Sequence, residues 1–147
     1  MKVYIDQSGK VEYSGTATVV AFSNGIKSAI LLPARDKRIL QKRFREAGKS
    51  HIYPYRIFAM LIFLLLKRTK FQELVIDVEY PGKSDLIKNY LMSDFRSVGI
   101  RISPGNIHFQ QIGRKCEAHW HGYYVFTKKR KPEKTTSVRE VLQGIMK

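Results

Sequence analysis

Hydrophobic residues recur along the chain in two patterns, and each pattern predicts one kind of element. Short apolar runs rich in β-branched and aromatic residues, followed closely by Gly, Pro, Asn or Ser, are typical of strands. Such runs predict strands at residues 2–6, 16–22, 26–32, 73–79 and 107–112. Because the hairpin signal at residues 23–25, Ser-Asn-Gly, joins the second strand to the third, we expect the first three strands to form an antiparallel meander.

Apolar residues three and four positions apart predict helices at 36–47, 54–68, 85–97 and 137–146. The second of these is apolar nearly all round, so we expect it to be buried across one face of the sheet. Its apolar centre at 57–66 is too short to cross a bilayer, and we expect no membrane span. Residues 116–126 fit either a helix or a strand.

The fourth predicted strand ends in acidic residues. Its apolar run, residues 74–76, is typical of a strand buried on both faces, and Asp77 and Glu79 follow at its carboxyl end. Because side chains alternate along a strand, Asp77 and Glu79 should face the same side. Ligands bind at the carboxyl ends of strands in open α/β sheets, and Asp6 ends the first strand in the same way. The alternative is that these acids are simply solvated or paired with neighbouring cations.

Composition limits the class of partner. The 147 residues, of which 44% are hydrophobic, are the length of one domain, so we expect a single domain over 1–147 with a basic C-terminal extension from about residue 128. Lys and Arg number 27 against 12 Asp and Glu, a net charge of +15. An excess of this size favours a polyanionic partner, with nucleic acid first and an anionic membrane second.

The cysteine content bears on the compartment. Cys116 is the only cysteine, which excludes an internal disulfide framework and fits a reducing environment. The N-terminus begins directly with a predicted strand, so we expect no signal peptide. We therefore predict a cytoplasmic protein, and the oligomeric state is left open, with a homo-oligomer among the options.

Two basic segments provide candidate phosphate contacts. One is the predicted helix at 36–47 with the residue before it, and the other is the run that begins at residue 128. The candidate nucleic-acid contacts are Arg35, Arg38, Lys42, Arg43 and Arg45 in the first segment, and Lys128, Lys129 and Arg130 in the second. Because a fixed helical face loses less entropy on binding than a flexible run, we predict that the helix is the principal positioning surface. The alternative is an ordinary solvated helix face.

The order of the predicted elements, with acids on the first and fourth strands, resembles the ribonuclease H-like superfamily. The segment Ile5-Asp-Gln-Ser-Gly9 is similar to the Asp-(Glu or Gly)-Ser opening of that superfamily, and closest to a largely uncharacterised group whose first strand is Ile-Asp-Glu-Ser-Gly. The resemblance covers roughly residues 2–125. It implies an α/β fold with a ribonuclease H-like mixed five-stranded sheet, in which an antiparallel meander is joined by parallel fourth and fifth strands, flanked by helices.

The resemblance also implies a metal-dependent nuclease. Enzymes of this superfamily hold two divalent metal ions between carboxylates and cleave phosphodiester bonds. Carried over to this chain, Asp6 is the first-strand acid and Asp77 the fourth-strand acid, with Mg²⁺ or Mn²⁺ as cofactor. Glu79 or Glu117 would provide a third ligand, and His119 would relay a proton to or from the reacting oxygen.

The helix after the third strand departs from the superfamily's pattern. Ribonucleases H have a Glu near the point corresponding to Phe58, whereas this predicted helix contains no carboxylate. The nuclease hypothesis therefore stands beside two alternatives, a nucleic-acid-binding module without catalysis and a protein-interaction subunit of the same fold. The sequence leaves enzymatic activity open, as well as the choice among DNA, RNA and hybrid.

Overall fold

The computed structural model describes residues 1–146, in which a mixed sheet of six strands lies between helices. The strands are β1 Lys2–Ser8, β2 Thr18–Ser23, β3 Lys27–Leu32, β4 Glu73–Asp77, β5 Ile107–Gln110 and β6 Lys134–Thr135. The helices are α1 Ala34–Glu46, α2 Tyr53–Leu66, α3 Ser84–Arg96, α4 Glu117–Phe126 and α5 Val138–Ile145. The expected α/β class is confirmed.

The strands are arranged in the order β5-β4-β1-β2-β3-β6. As predicted, β1, β2 and β3 form an antiparallel meander, and β4 pairs in parallel with both β1 and β5. Because β3 runs antiparallel to β2, it points in the same direction as β1, β4 and β5. The carboxyl ends of these four strands therefore lie at one edge of the sheet, which we call the carboxyl edge.

The expectation of five strands is wrong, because the sheet has a sixth. Lys134–Thr135 pairs in parallel with β3, inside the segment that was expected to be a basic extension. Two polar residues show no apolar alternation, so tertiary contacts must hold this strand in place. Glu133 accepts a hydrogen bond from the backbone N–H of Ala29 at 2.8 Å, and the Thr136 N–H donates to the Leu31 carbonyl at 2.9 Å.

Alternate residues of β2 enter two cores, one on each face of the sheet. Val20 and Phe22 belong to the larger core, which contains α2. Val19 and Ala21 belong to a smaller core that is covered by α4. Helix α2 is buried along most of its length, as its all-round apolar sequence predicts. Within residues 1–146, no helix combines the length and the apolar character that a membrane span requires.

Residues 117–126 form helix α4, so this segment, which the sequence left open as a helix or a strand, is a helix. The helix buries Ala118, His121, Gly122 and Val125 against the sheet, at the spacing of one helical face. A Cβ at Gly122 would lie 3.3 Å from the Ala21 Cβ, so the glycine lets α4 approach the sheet closely. Packing across a whole face therefore outweighs the local strand propensity of residues 123–126.

The basic segment after α4 packs back onto the helix. The N–H of Lys129 donates to the Tyr124 carbonyl at 2.8 Å, and the N–H of Lys128 donates to the Val125 carbonyl at 3.1 Å. This pair of bonds closes the helix as a Schellman motif, with Lys128 at φ 66° in the position that glycine usually fills. The segment was expected to be a flexible run, but these contacts hold its first residues in place.

Specific polar contacts stabilise helices α3 and α5. Arg56 of α2 makes two hydrogen bonds to Asp94 of α3, at 2.9 and 2.7 Å, and neutralises this buried acid. Ser137 caps α5, since its Oγ accepts from the Glu140 N–H at 3.3 Å. Helix α3 begins at Ser84 without a side-chain cap.

Candidate metal centre

Three carboxylates meet at the carboxyl edge. Asp6 lies on β1 and Asp77 is the last residue of β4, and pairing of Ile5 with Ile76 places these two acids level on adjacent strands. Glu79 follows two residues after Asp77. One side-chain oxygen from each of the three acids lies within 4.8 Å of the other two. We call this group the carboxylate cluster, and it brings together the three acids that the strand pattern singled out.

The cluster lacks a positive charge of its own. The pKa of Glu79 is raised to about 9 by burial, by hydrogen bonding to Asp77 and by the negative charges of Asp6 and Asp77. The Glu79 carboxyl therefore keeps its proton at neutral pH while the cluster holds no cation. Oxygen ligands this close together suit a hard divalent ion, which would supply the missing charge and displace that proton.

Hydrogen bonds fix the orientation of the two aspartates. One oxygen of Asp6 accepts from the Gln7 N–H at 2.9 Å, and one oxygen of Asp77 accepts from the Ile112 N–H at 2.8 Å. The second bond reaches across from the chain that follows β5. The cluster therefore depends on three neighbouring strands, β1, β4 and β5, and is oriented by the sheet as well as by its own residues.

His119 of α4 adjoins the cluster through Asp6. Its Nδ1 lies 2.9 Å from the second oxygen of Asp6, and its side chain is partly exposed. When Asp6 is ionised, Nδ1 donates the proton of this hydrogen bond and Nε2 is left as a proton acceptor. The sequence singled out His119 as a proton relay, and the structure places it beside the predicted ligands.

An open cleft of about 320 Å³ contains the cluster. Its lining includes all three acids, His119 and Arg114, together with Gln7, Val78, Gln111 and Gly113. Arg114 is the one Lys or Arg in this lining, and it was not singled out from the sequence. The signal that could have found it is its position just after β5, at the same edge as the acids.

Glu117, the other predicted metal ligand, lies outside the carboxylate cluster. It is the first residue of α4 and lines a separate cleft of about 510 Å³, beside Lys115 and Cys116. Two residues along a helix differ in direction by about 200°, so Glu117 and His119 point away from each other. Glu79 is therefore the third acid of the cluster.

The position at which the resemblance expects a helix Glu is filled by an aromatic ring. Phe58 of α2 is buried, with its ring centre 5.6 Å from that of Tyr80. The Tyr80 hydroxyl in turn contacts Gln7 at 3.2 Å and accepts from the Val11 N–H at 3.3 Å. Tyr80 therefore ties the chain that follows Glu79 to the chain that follows β1, and α2 offers the cluster no carboxylate.

Gly9 ends the Ile5–Gly9 segment that carries the resemblance, and the structure gives a physical reason for it. Its φ is 78°, in the left-handed region that favours glycine. A Cβ at this position would collide with the carbonyl of Ala17 and the ring of Phe126. The chain can therefore turn sharply out of β1 and pass close under the end of α4.

The predicted basic face of α1 is exposed at all five of its singled-out residues, Arg35, Arg38, Lys42, Arg43 and Arg45. Lys37, in the same helix, is fully buried instead. Its Nζ donates to the carbonyls of Lys10 and Thr16, at 3.0 and 2.8 Å, and to that of Tyr13. Lys37 therefore fastens the loop at residues 9–17, and burial lowers the pKa of its ammonium to about 8.

The basic residues lie on two different parts of the structure. Helix α1 begins just after β3, whose carboxyl end shares the edge at which the cluster lies. Lys128, Lys129 and Arg130 follow α4, the helix that presents His119.

No family model matches this chain, and neither a curated protein nor a solved structure matches it significantly, so its function is inferred from the site itself.

Proposed function

We propose that this protein is a metal-dependent phosphodiester hydrolase that acts on nucleic acid. The observation that carries the proposal is the carboxylate cluster, whose three oxygens lie within 4.8 Å of one another beside His119. A net charge of +15 makes a polyanion the natural partner of such a site. The antiparallel meander with parallel β4 and β5 is also the arrangement implied by the ribonuclease H-like resemblance.

The donor set fits Mg²⁺ or Mn²⁺. Both ions take oxygen ligands, and the cluster offers three carboxylates with no Lys or Arg among them. Asp6, Asp77 and Glu79 would hold the metal. When bound, divalent ions of this kind stabilise the attacking and leaving oxygens of a phosphodiester.

The chain's own residues have separate tasks in this proposal. His119 accepts a proton from the attacking water at Nε2, and Asp6 holds the imidazole ring and stabilises its protonated form. Arg114, in the lining of the cleft, contacts the phosphate and offsets its charge. The exposed cations of α1 position the backbone of the nucleic acid.

Cleavage assays on paired variants test this proposal. The purified protein is incubated with labelled single-stranded DNA, single-stranded RNA, duplex DNA and hybrid, in Mg²⁺, in Mn²⁺ and in EDTA. Asp6→Asn and Asp77→Asn should abolish cleavage and weaken Mn²⁺ binding measured by electron paramagnetic resonance. The matched control is Glu73→Gln, at the opposite end of β4 from Asp77, which should retain both properties. Cleavage that survives both aspartate substitutions would refute the assignment.

A binding module without catalysis is the second candidate. It is favoured by the absence of a carboxylate on α2, where Phe58 is packed against Tyr80. In this case the protein binds nucleic acid in every metal condition, and its affinity falls steeply as salt rises because counterions are released. Binding without cleavage on every substrate, with both aspartate variants binding as wild type does, would select this candidate.

A further inference from the structure

Helix α4 presents three aromatic side chains on its outer face. Trp120 and Tyr123 are 40% and 42% exposed, and Tyr124 is partly exposed beside them. The ring centres of the three lie 5.9–6.1 Å apart in every pairing. We call them the aromatic surface. Because the buried face of α4 is formed by other residues, these rings are not needed to cover the sheet, and an exposed group of this kind is typical of a binding site.

Cations border the aromatic surface. The Arg130 guanidinium lies 4.8 Å from the centre of the Tyr124 ring, and the Lys129 ammonium lies 5.9 Å from the same centre. The indole N–H of Trp120 donates to the backbone carbonyl of Arg114. Arg114 also lines the cleft of the carboxylate cluster. Planar rings bordered by Lys and Arg match a chain of phosphates whose bases are free to stack.

The aromatic surface is directly connected to the carboxylate cluster. The rings of Trp120 and His119 have centres 5.1 Å apart, and His119 is hydrogen-bonded to Asp6. A single side chain therefore separates the two features. A base stacked on Trp120 would therefore lie one side chain away from Asp6.

We propose that the aromatic surface stacks unpaired bases, and that single-stranded nucleic acid is the substrate class of this site. The identity of the polyanion rests on the proposed function, and the inference goes beyond it by naming the strandedness. In a duplex both faces of each base are covered by stacking, so the rings have nothing to bind. An extended single strand presents bases to the rings and phosphates to the surrounding cations.

Trp120 is the only tryptophan of the chain, so the intrinsic fluorescence of the protein reports directly on this surface. Titrations are made in EDTA, so that metal-dependent cleavage is prevented, with oligothymidylate, oligouridylate, an abasic strand of equal length and a DNA duplex. The abasic strand keeps the phosphates and lacks the bases. We expect both base-bearing strands to quench Trp120 and to bind about 5- to 150-fold more tightly than the abasic strand, the effect of stacking one base.

Variants separate stacking from charge. These variants are titrated by the fluorescence anisotropy of end-labelled strands, because substitution of Trp120 removes the only tryptophan. Trp120→Ala and Tyr124→Ala should reduce the affinity for oligothymidylate towards that for the abasic strand, and leave the abasic affinity unchanged. Trp120→Phe should restore most of the preference because it keeps a planar ring. Val98→Ala, at an exposed apolar residue just after α3, is the control and should change neither affinity. Circular dichroism checks that each variant is folded.

Equal affinity for the base-bearing and abasic strands would overturn the inference, and so would quenching that is the same with duplex. If neither the base-bearing strands nor the abasic strand bind, the inference is also overturned, and the aromatic surface is then assigned to contact with another protein. If cleavage occurs without a base-dependent preference, the inference fails and the proposed function stands. If the preference is found without cleavage in any metal condition, the hydrolase proposal fails and the stacking surface stands.

Discussion

Replacing Lys37 with Met tests how the loop at residues 9–17 is held at the carboxyl edge. Lys37 is fully buried in α1, and its ammonium bonds three backbone carbonyls of that loop. Methionine has similar length and removes all three donors. Three carbonyls lose a partner, at about 1–3 kcal/mol each, and more than half of that loss is recovered because the ammonium no longer has to be desolvated. We therefore expect the free energy of unfolding to fall by about 2–4 kcal/mol at pH 7.

The pH dependence of this difference has a definite sign. The pKa of Lys37 is lowered from 10.5 to about 8 in the folded protein, because burial disfavours the charged form. Between these two values the unfolded chain binds the proton more strongly, so the stability of the wild type rises with pH. The variant lacks this group. The stability gap between the two proteins should therefore widen from pH 8 to pH 10.5, by at most about 3 kcal/mol.

Urea unfolding of both proteins at pH 7, 8 and 10 measures the gap, and other titrating groups cancel because they are common to the two chains. Lys42→Met is the matched control, since Lys42 is an exposed lysine of the same helix, and it should change stability by less than about 0.5 kcal/mol. A loss at pH 7 no larger than that of the control, or a gap that narrows as the pH rises, would refute the role assigned to Lys37.

Three further predictions concern the proposed activity and its binding surfaces. His119→Ala should slow cleavage by about 10²–10⁴-fold while Mn²⁺ binding is retained, and an unchanged rate would remove His119 from the mechanism. Lys128→Gly should raise stability by about 0.5–1 kcal/mol in thermal unfolding, because φ is positive there, yet weaken binding at low salt. Replacing Arg38, Lys42 and Arg45 with Ala should flatten the salt dependence of binding by roughly one unit per lost phosphate contact. Point variants are preferable to a truncation after α4, which would also remove β6 and α5.

The fold could be predicted where a pattern is local. The first four strands and the buried helix α2 follow from short apolar runs and from an all-round apolar stretch, and the structure has them within a few residues. Strand β6 could not be predicted, because two polar residues have no periodicity and are held by contacts with β3. Helix α4 was undecided for a related reason. Its state depends on packing against the sheet through Gly122, whereas its local propensity favours a strand.

The acids of the site could be predicted because strand geometry is regular. Alternation along β4 relates Asp77 to Glu79, and the parallel pairing of β1 with β4 brings in Asp6. The position of Glu117 depends on the helical state of α4, which the sequence left open. Arg114 and Lys37 were missed because their surroundings are formed by loops. The burial of Lys37 in particular requires the carbonyls of the 9–17 loop, and no sequence pattern places them there.

In the proposed function, helix α4 connects the carboxylate cluster to the surface that would bind the substrate. Successive residues of a helix differ in direction by about 100°, so His119 reaches the carboxylate cluster while Trp120, next in sequence, joins the outer aromatic surface. The helix divides the apolar run at residues 123–126 between its two faces. Val125 packs against the sheet, while Tyr123 stays exposed beside Trp120. Because one helix carries both His119 and Trp120, we expect a strand that stacks on Trp120 to meet the acids at a constant distance. Substitutions on the two faces of α4 should then separate affinity from rate.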